Sequence, residues 1–210
     1  DAAGTVHPAG GIAVRDGVID IVGNTDGISA RETVDAGGMI LIPGLVNAHC
    51  HAADSLFRGL VEDLPLEPWL QTVWKAEAAI LNRETCALGA TLGLADLVLG
   101  GVTTPLDTFW HPEATVAAAR RLGVRVGTGG IFFDAPGTDG ATPASRAEAA
   151  EAFFTAHRDA PDIIPGTFPH GTYTVGPEGL KTAKAIADRH DALFHTHAAE
   201  TEFEQADITR

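Results

Sequence analysis

Histidines placed after apolar segments are the groups in this 210-residue sequence that most directly predict chemistry. His49 and His51 stand two positions apart, directly after one such segment. In an extended backbone, residues i and i+2 point to the same side, so both imidazoles can reach one metal ion while Cys50 points away. The spacing therefore predicts two ligands of a metal site.

A second cluster at residues 195–200 reads His-Thr-His-Ala-Ala-Glu. It follows another predicted strand, and the ends of parallel strands meet at one edge of a sheet. We therefore expect His197 to supply a third metal ligand and Glu200 to move protons between water, metal and substrate. The alternative for Glu200 is a carboxylate that is favoured by the dipole at a helix N-terminus.

His170 comes directly after a further predicted strand, which places it at the same edge. A histidine there is expected to bind substrate or metal, and the alternative is an ordinary surface loop. Trp74 and Trp110 are interpreted as packing residues. Trp69 is interpreted either as a cover for a substrate or as a hydrophobic contact.

The elements that must position these residues follow from the apolar pattern. Residues 11–24 alternate around an Arg-Asp-Gly turn and predict a β-hairpin. The apolar run 39–48 predicts a strand that is buried on both faces and ends near Asn47. Further strands are predicted at 102–106, 124–131, 163–168 and 192–195, with helices at 84–99, 112–122, 144–156 and 177–190.

Alternation of strands and helices is typical of a parallel sheet. We expect a (β/α)8 TIM-type barrel that is incomplete here, with about five βα units, because a whole barrel needs about 250 residues. Residues 1–42 are assigned to part of a small β-sandwich and residues 43–210 to the N-terminal portion of the barrel. A complete, open, doubly wound sheet of five strands is the alternative that length alone permits.

Composition excludes several classes of function. Hydrophobic residues make up 45% of the chain and charged residues 20%, as in a globular protein. The net charge of −14 argues against nucleic acid as a partner, and the absence of an apolar run of roughly 20 residues argues against a membrane role. Two cysteines outside any disulfide pattern, and no predicted signal peptide, favour the cytoplasm.

Three separated motifs together resemble the amidohydrolase superfamily. Within it, they are most similar to the branch of 5-methylthioadenosine/S-adenosylhomocysteine deaminases, which neighbours the s-triazine hydrolases. The motifs are Pro-Gly-Leu-Val-Asn-Ala-His-Cys-His at 43–51, Arg-Gly-Leu at 58–60 with Asp-Leu-Pro at 63–65 and Trp-Leu at 69–70, and His-Ala-Ala-Glu-Thr at 197–201.

This resemblance implies a mononuclear metal centre and a hydrolytic reaction. His49, His51 and His197 match the metal-binding histidines, and Glu200 matches the proton-shuttling glutamate. The cofactor implied is one divalent metal ion, Zn²⁺ or equally Fe²⁺. The implied reaction is deamination of a small purine-type substrate, and members of the superfamily are often dimers or larger oligomers.

The resemblance also implies residues that bind the substrate. Glu77 stands where members of the branch have a glutamate that binds the ribose hydroxyls, and His170 matches a substrate-binding histidine. Some members of the branch have two arginines. Arg146 lies close to the expected position of one of them, whereas Gly129 and Gly130 stand at the position of the other. Recognition of a homocysteine-like carboxylate is therefore left open, and a smaller, uncharged substrate tail fits equally well.

Two alternatives to a purine deaminase follow from the same residues. Hydrolysis of s-triazines needs the same metal site with a different pocket. The family pattern also has a histidine after the sixth strand and an aspartate after the eighth, which these residues do not contain, so we expect this chain alone to be inactive. A non-catalytic metal-binding module or subunit is the alternative from another class.

Overall fold

A computed structural model describes residues 3–202 and 204–208 of the chain. Residues 1–44 and 45–210 form two compact units. The outermost limits of the two predicted domains, Asp1 and Arg210, lie outside the described residues. Within the described part, no helix is both long enough and apolar enough to cross a membrane.

The first unit contains the predicted β-hairpin. Strands β1 (Gly11–Arg15) and β2 (Val18–Gly23) pair antiparallel. Asp16 and Gly17 form the two-residue turn with φ of 51° and 77°, the left-handed values that a type I′ turn requires. Its assignment to part of a β-sandwich stays a prediction, because the hairpin is the only sheet in the described part of this unit.

The second unit is built on five parallel strands. Their bounds are β3 (Leu45–Cys50), β4 (Val102–Asp107), β5 (Val126–Phe132), β6 (Ile163–Pro169) and β7 (Leu193–Phe194). In the sheet they lie in chain order, β3-β4-β5-β6-β7. A doubly wound sheet reverses its order at a switch point, whereas a barrel does not. The sheet therefore confirms the prediction of a partial TIM-type barrel.

The prediction for the first strand of this sheet was wrong in its extent. Residues 39–44 lie outside any strand, and Met39 and Ile40 are 75% and 90% exposed. Pro43 lacks a backbone N–H and restricts the residue before it, which accounts for a strand that begins only at Leu45. Val46 is also exposed, and within the described residues β3 pairs with β4 alone.

Helices lie between the strands at the predicted places, and more of them occur than the pattern indicated. The α-helices are α1 (Leu66–Ile80), α2 (Arg83–Leu99), α3 (Pro112–Leu122), α4 (Arg146–His157), α5 (Pro177–Arg189) and α6 (Glu204–Ile208). A 3-10 helix (Ala52–Phe57) directly follows β3. Sequence reasoning did not predict α1 or this 3-10 helix.

The 3-10 helix is held by helix α2. Added Cβ atoms at Gly89 and Gly93 would lie 2.4 Å from the Ala53 oxygen and 2.5 Å from the Ala52 oxygen. Only glycine permits this approach of two backbones. Since the 3-10 helix begins next to His51, the two glycines of α2 fix where the chain runs after the first histidine pair.

Packing between the sheet and its helices forms the core. Strand β5 is buried along its whole length. A Cβ at Gly129 would lie 2.2 Å from the Gly166 oxygen, so the close approach of β5 and β6 leaves no space there for a side chain. This contact accounts for the glycine at position 129 of this chain.

Candidate metal centre and substrate cleft

Five histidines come together at the carboxyl ends of the parallel strands. His49 lies near the end of β3, and His51 directly follows that strand. The other three histidines follow β6 and β7. All five line one cleft: His49, His51, His170, His195 and His197. The predicted meeting of separate histidine clusters at one edge of the sheet is therefore found in the structure.

Three of the histidines have the spacing of a metal site. One ring nitrogen from each of His49, His51 and His197 lies within 4.8 Å of the other two. This is the only such cluster of histidine, cysteine or acidic side chains among the residues that the structure describes. Imidazole nitrogen is a common ligand of Zn²⁺, and because Zn–N bonds are about 2.0–2.1 Å long, the three rings would move slightly closer together to bind one ion.

Neighbouring groups orient two of these rings. The Nδ1 of His51 lies 3.1 Å from the Thr108 carbonyl oxygen, which can only accept, so Nδ1 carries the proton and Nε2 keeps its lone pair. The Nδ1 of His49 lies 2.8 Å from the Nε2 of His195. In each case Nε2 of the candidate ligand is left for a metal ion.

Burial keeps the imidazoles of His49, His51 and His170 neutral. Desolvation, with neighbouring histidines as a smaller cause, lowers the pKa of His51 to about 3 and the pKa of His49 to about 4. The same causes lower the pKa of His170 to about 4. Neutral imidazole is the form that binds a metal, so the electrostatics fit the donor set.

The position of His170 is fixed by Thr174. The Thr174 hydroxyl donates to the Gly171 oxygen at 3.2 Å, and His170 Nδ1 lies 2.8 Å from that hydroxyl. Because the hydroxyl has one proton, His170 Nδ1 donates to it and Nε2 remains an acceptor. His170 thus lines the cleft with a lone pair available to a ligand.

Aromatic side chains form the walls of the cleft. They contribute flat apolar surface of the kind that contacts heterocyclic rings. The two tryptophans interpreted as packing residues line the cleft, as does the tryptophan interpreted as a possible cover. The aromatic lining residues are Trp69, Trp74, Phe109, Trp110, Phe133 and Phe168.

Glu77 lies in the wall of the cleft, where the substrate-binding prediction requires it. It is only 5% exposed, and its Oε2 accepts a hydrogen bond of 2.9 Å from Trp110 Nε1. Burial raises the pKa of this carboxyl above its usual value, and the Trp110 bond opposes that rise. The indole fixes one carboxylate oxygen in place.

Arg146 is not brought into the cleft. Its side chain is 3% exposed and forms a two-point ion pair with Asp139, in which Nη2 lies 3.1 Å from Oδ1. The guanidinium carbon lies 5.5 Å from the centre of the Trp110 ring. The arginine predicted to bind substrate is thus engaged behind the wall of the cleft.

Glu200 is also separate from the residues that line the cleft. Its exposed carboxylate accepts a hydrogen bond of 2.7 Å from the Tyr173 hydroxyl. Its backbone N–H donates to Glu204 Oε2 at 2.6 Å. Its role in proton transfer stays a prediction.

Sequence reasoning assigned no role to Asp54. This residue lies in the 3-10 helix, lines the cleft and has a pKa raised to about 8, first by burial and then by Glu77 and Asp107. Its position three residues after His51 is the one sequence feature that relates it to the candidate metal ligands, and that feature alone does not show that it lines the cleft.

Comparison with known proteins relates this geometry to named relatives. The chain is 35% identical over 194 residues to a 5-methylthioadenosine/S-adenosylhomocysteine deaminase of Aquifex aeolicus, covering 92% of this chain and 45% of the relative. It is 36% identical over 204 residues to a 5'-deoxyadenosine deaminase of Methanothermobacter thermautotrophicus, covering 96% and 47%. The chain thus spans about half the length of these relatives.

Solved structures show the same architecture. An adenosine deaminase from Xanthomonas campestris with bound zinc superposes with a TM-score of 0.76 at 34% identity, covering 80% of this chain and 38% of that one. A triazine hydrolase from Arthrobacter aurescens has a TM-score of 0.76 at 24% identity, covering 87% and 46%, and shows likeness of fold alone. The amidohydrolase family model matches residues 40–210. The chain therefore belongs to the amidohydrolase family.

Proposed function

We propose that the full-length protein hydrolytically deaminates an adenine-type nucleoside, with one Zn²⁺ ion held by His49, His51 and His197. The observation that carries this proposal is the convergence of these three ring nitrogens within 4.8 Å beside an aromatic cleft. The relatives named as deaminases of adenosine derivatives support the substrate class. A bound Zn²⁺ supplies water of lowered pKa.

The chain's own residues orient the base in this proposal. The aromatic walls hold the ring flat, and His170 Nε2 accepts a hydrogen bond from the substrate. Glu77 accepts from the sugar hydroxyls through the oxygen that Trp110 leaves unengaged. Glu200 delivers a proton to the ring nitrogen, which requires its carboxylate to leave Tyr173 when substrate binds.

The free thiols support a cytoplasmic location for this enzyme. Cys50 and Cys86 are both unpaired. Burial raises the pKa of Cys86 to about 12, so its thiol stays protonated and unreactive at neutral pH. Disulfides are rare in reducing compartments, which agrees with this assignment.

A substrate panel tests the proposed activity. Ammonia release by the zinc-loaded full-length protein is measured with methylthioadenosine, S-adenosylhomocysteine, 5'-deoxyadenosine, adenosine, guanine and an amino-substituted triazine, and chloride release is measured with a chloro-triazine. We expect kcat/KM for the adenosine derivatives to exceed that for guanine and both triazines by at least about 10-fold, since apolar and polar contacts to the sugar each contribute at this scale.

Two variants accompany the panel. His197→Ala is expected to lose bound metal and ammonia release together, whereas His190→Ala, which removes a histidine paired with Glu151, is expected to keep both. Turnover of triazines alone would support the alternative substrate class. No turnover of any purine would overturn the deaminase proposal.

A further inference from the structure

The cleft contains a second carboxyl group for which the activity proposed above has no use. Asp54 lines the same cleft as Glu77 and the histidines. A backbone hydrogen bond of 3.0 Å from its N–H to the His51 oxygen fixes the start of its helical turn. Asp54 therefore has a defined place beside the candidate metal centre.

The Asp54 side chain lacks the partners that a structural acid has. Its Oδ1 is buried, with no hydrogen-bond partner in the described part of the chain. Nearby Asp107 shows the contrast: its oxygens accept from the Ala52 N–H at 2.7 Å and from the Thr115 hydroxyl at 2.6 Å. A buried, unsatisfied oxygen costs about 1–3 kcal/mol, so a purely structural role leaves Asp54 unexplained.

No basic side chain compensates the two carboxyl groups. The residues that line the cleft include neither lysine nor arginine. Arg146 lies behind Trp110 and is paired with Asp139. Among the described residues, the cleft therefore offers no charged donor to Asp54, and a ligand with hydroxyl groups can supply a donor instead.

Asp54 and Glu77 line the same cleft. Glu77 is one of the charges that act on the Asp54 carboxyl, so the two groups lie near each other. The Trp110 bond engages only Oε2 of Glu77. Two carboxyl groups in one cleft, each with an oxygen left for a further donor, match the two hydroxyls of a vicinal diol.

We propose that Asp54 is a specificity-determining residue that accepts a hydrogen bond from one hydroxyl of the substrate's vicinal diol while Glu77 accepts from the other. This inference rests on the proposed function. It assigns the recognition of a ribose-type sugar to two carboxyl groups on different elements, the 3-10 helix and α1. A substrate without the diol leaves at least one of them unsatisfied.

A double-mutant cycle between protein and substrate tests the assignment. Ammonia release from adenosine, 2'-deoxyadenosine and 3'-deoxyadenosine is measured with the zinc-loaded full-length wild type and with Asp54→Leu. In the wild type, each missing hydroxyl is expected to lower kcat/KM about 10- to 100-fold, which corresponds to the cost of leaving a buried acceptor without a donor. In Asp54→Leu, one of these two penalties is expected to fall below about 3-fold and the other to persist.

Further variants separate recognition from folding. Asp54→Asn keeps an acceptor oxygen and is expected to restore most of the lost discrimination. Asp54→Ala replaces Asp54→Leu if the larger side chain prevents folding. Bound zinc per chain is measured in each variant, and it is expected to match the wild type, because Asp54 is outside the histidine cluster.

The outcomes separate this inference from the proposed function. The role of Asp54 alone is overturned if the wild type deaminates adenosine while Asp54→Leu and Asp54→Ala lower kcat/KM equally for all three substrates. It is also overturned if these variants lower kcat/KM for none of them. A wild type that deaminates no nucleoside overturns the proposed function and this inference with it. The assignment is supported if, in the Asp54 variants, the kcat/KM penalty for one missing hydroxyl disappears and the penalty for the other persists.

Discussion

At the scale of single residues, hydrogen bonds behind the candidate ligands matter as much as the ligands. His195 was noted in the sequence only as part of a cluster, yet its Nε2 lies 2.8 Å from His49 Nδ1. The backbone oxygen of Thr108 likewise accepts a hydrogen bond from His51 Nδ1. A backbone carbonyl is available at almost any position, whereas the His49 contact depends on one side chain.

Replacing His195 by alanine should weaken metal binding without removing a ligand. Outer partners of metal ligands contribute about 10- to 100-fold in affinity, so we expect the Zn²⁺ dissociation constant to rise by that factor. Competition with a chromophoric chelator measures it, and His195→Gln, which retains a hydrogen-bonding group, should recover part of the loss. An unchanged affinity in His195→Ala would show that His49 needs no such partner.

Glu77 is the residue proposed to contact the sugar hydroxyls. The carboxylate is buried, and Trp110 holds one of its oxygens. Glu77→Gln should lower kcat/KM for adenosine at least about 10-fold and for the free base adenine less than about 3-fold, because only the nucleoside has hydroxyl donors. Steady-state ammonia release from both substrates measures the difference.

The matched control for this prediction is Glu67→Gln. Glu67 lies in the first turn of the same helix, α1, and is exposed. Glu67→Gln should leave kcat/KM unchanged for both adenosine and adenine. Equal losses for nucleoside and free base in Glu77→Gln would contradict contact with the sugar and indicate a general effect on the cleft.

At the scale of elements, the end of β4 holds the segment that follows the histidine pair. Asp107 is fully buried, and it accepts from the Ala52 N–H and the Thr115 hydroxyl, which joins β4 to the 3-10 helix and to α3. Burial raises the pKa of Asp107 to about 6, while these two bonds oppose the rise. The carboxyl is thus retained for its geometry despite a desolvation cost.

Asp107→Ala should lower the free energy of unfolding by about 3 kcal/mol, since it leaves two buried donors without an acceptor. Urea denaturation of the full-length protein followed by circular dichroism measures this change. Asp96→Ala removes an exposed ion pair with Arg58 and should cost less than about 1 kcal/mol. A cost for Asp107→Ala no larger than the Asp96 control would contradict the tethering role.

At the scale of the whole molecule, local patterns predicted the parallel sheet, and long-range contacts decided the rest. The alternation of strands and helices was enough to predict β4 to β7, because each strand is a short apolar run between helices. The start of β3 was predicted too early, because the apolar run 39–42 resembles a buried strand although Pro43 ends it before the sheet begins. Hydrophobicity alone does not report burial.

The same limit applies to the site. Histidine spacing predicted which rings converge, because strand ends share one edge of the sheet. Sequence spacing did not predict that Arg146 pairs with Asp139 or that Asp54 lines the cleft, because both depend on how a loop and a 3-10 helix pack in three dimensions.

The central claim is that three histidines hold one metal ion on which deamination depends. Full-length protein stripped of metal by a chelator is titrated with Zn²⁺ while ammonia release from methylthioadenosine is measured. We expect no activity at the start, a linear rise and a plateau at one equivalent of Zn²⁺ per chain. Full activity in the metal-stripped protein would contradict it.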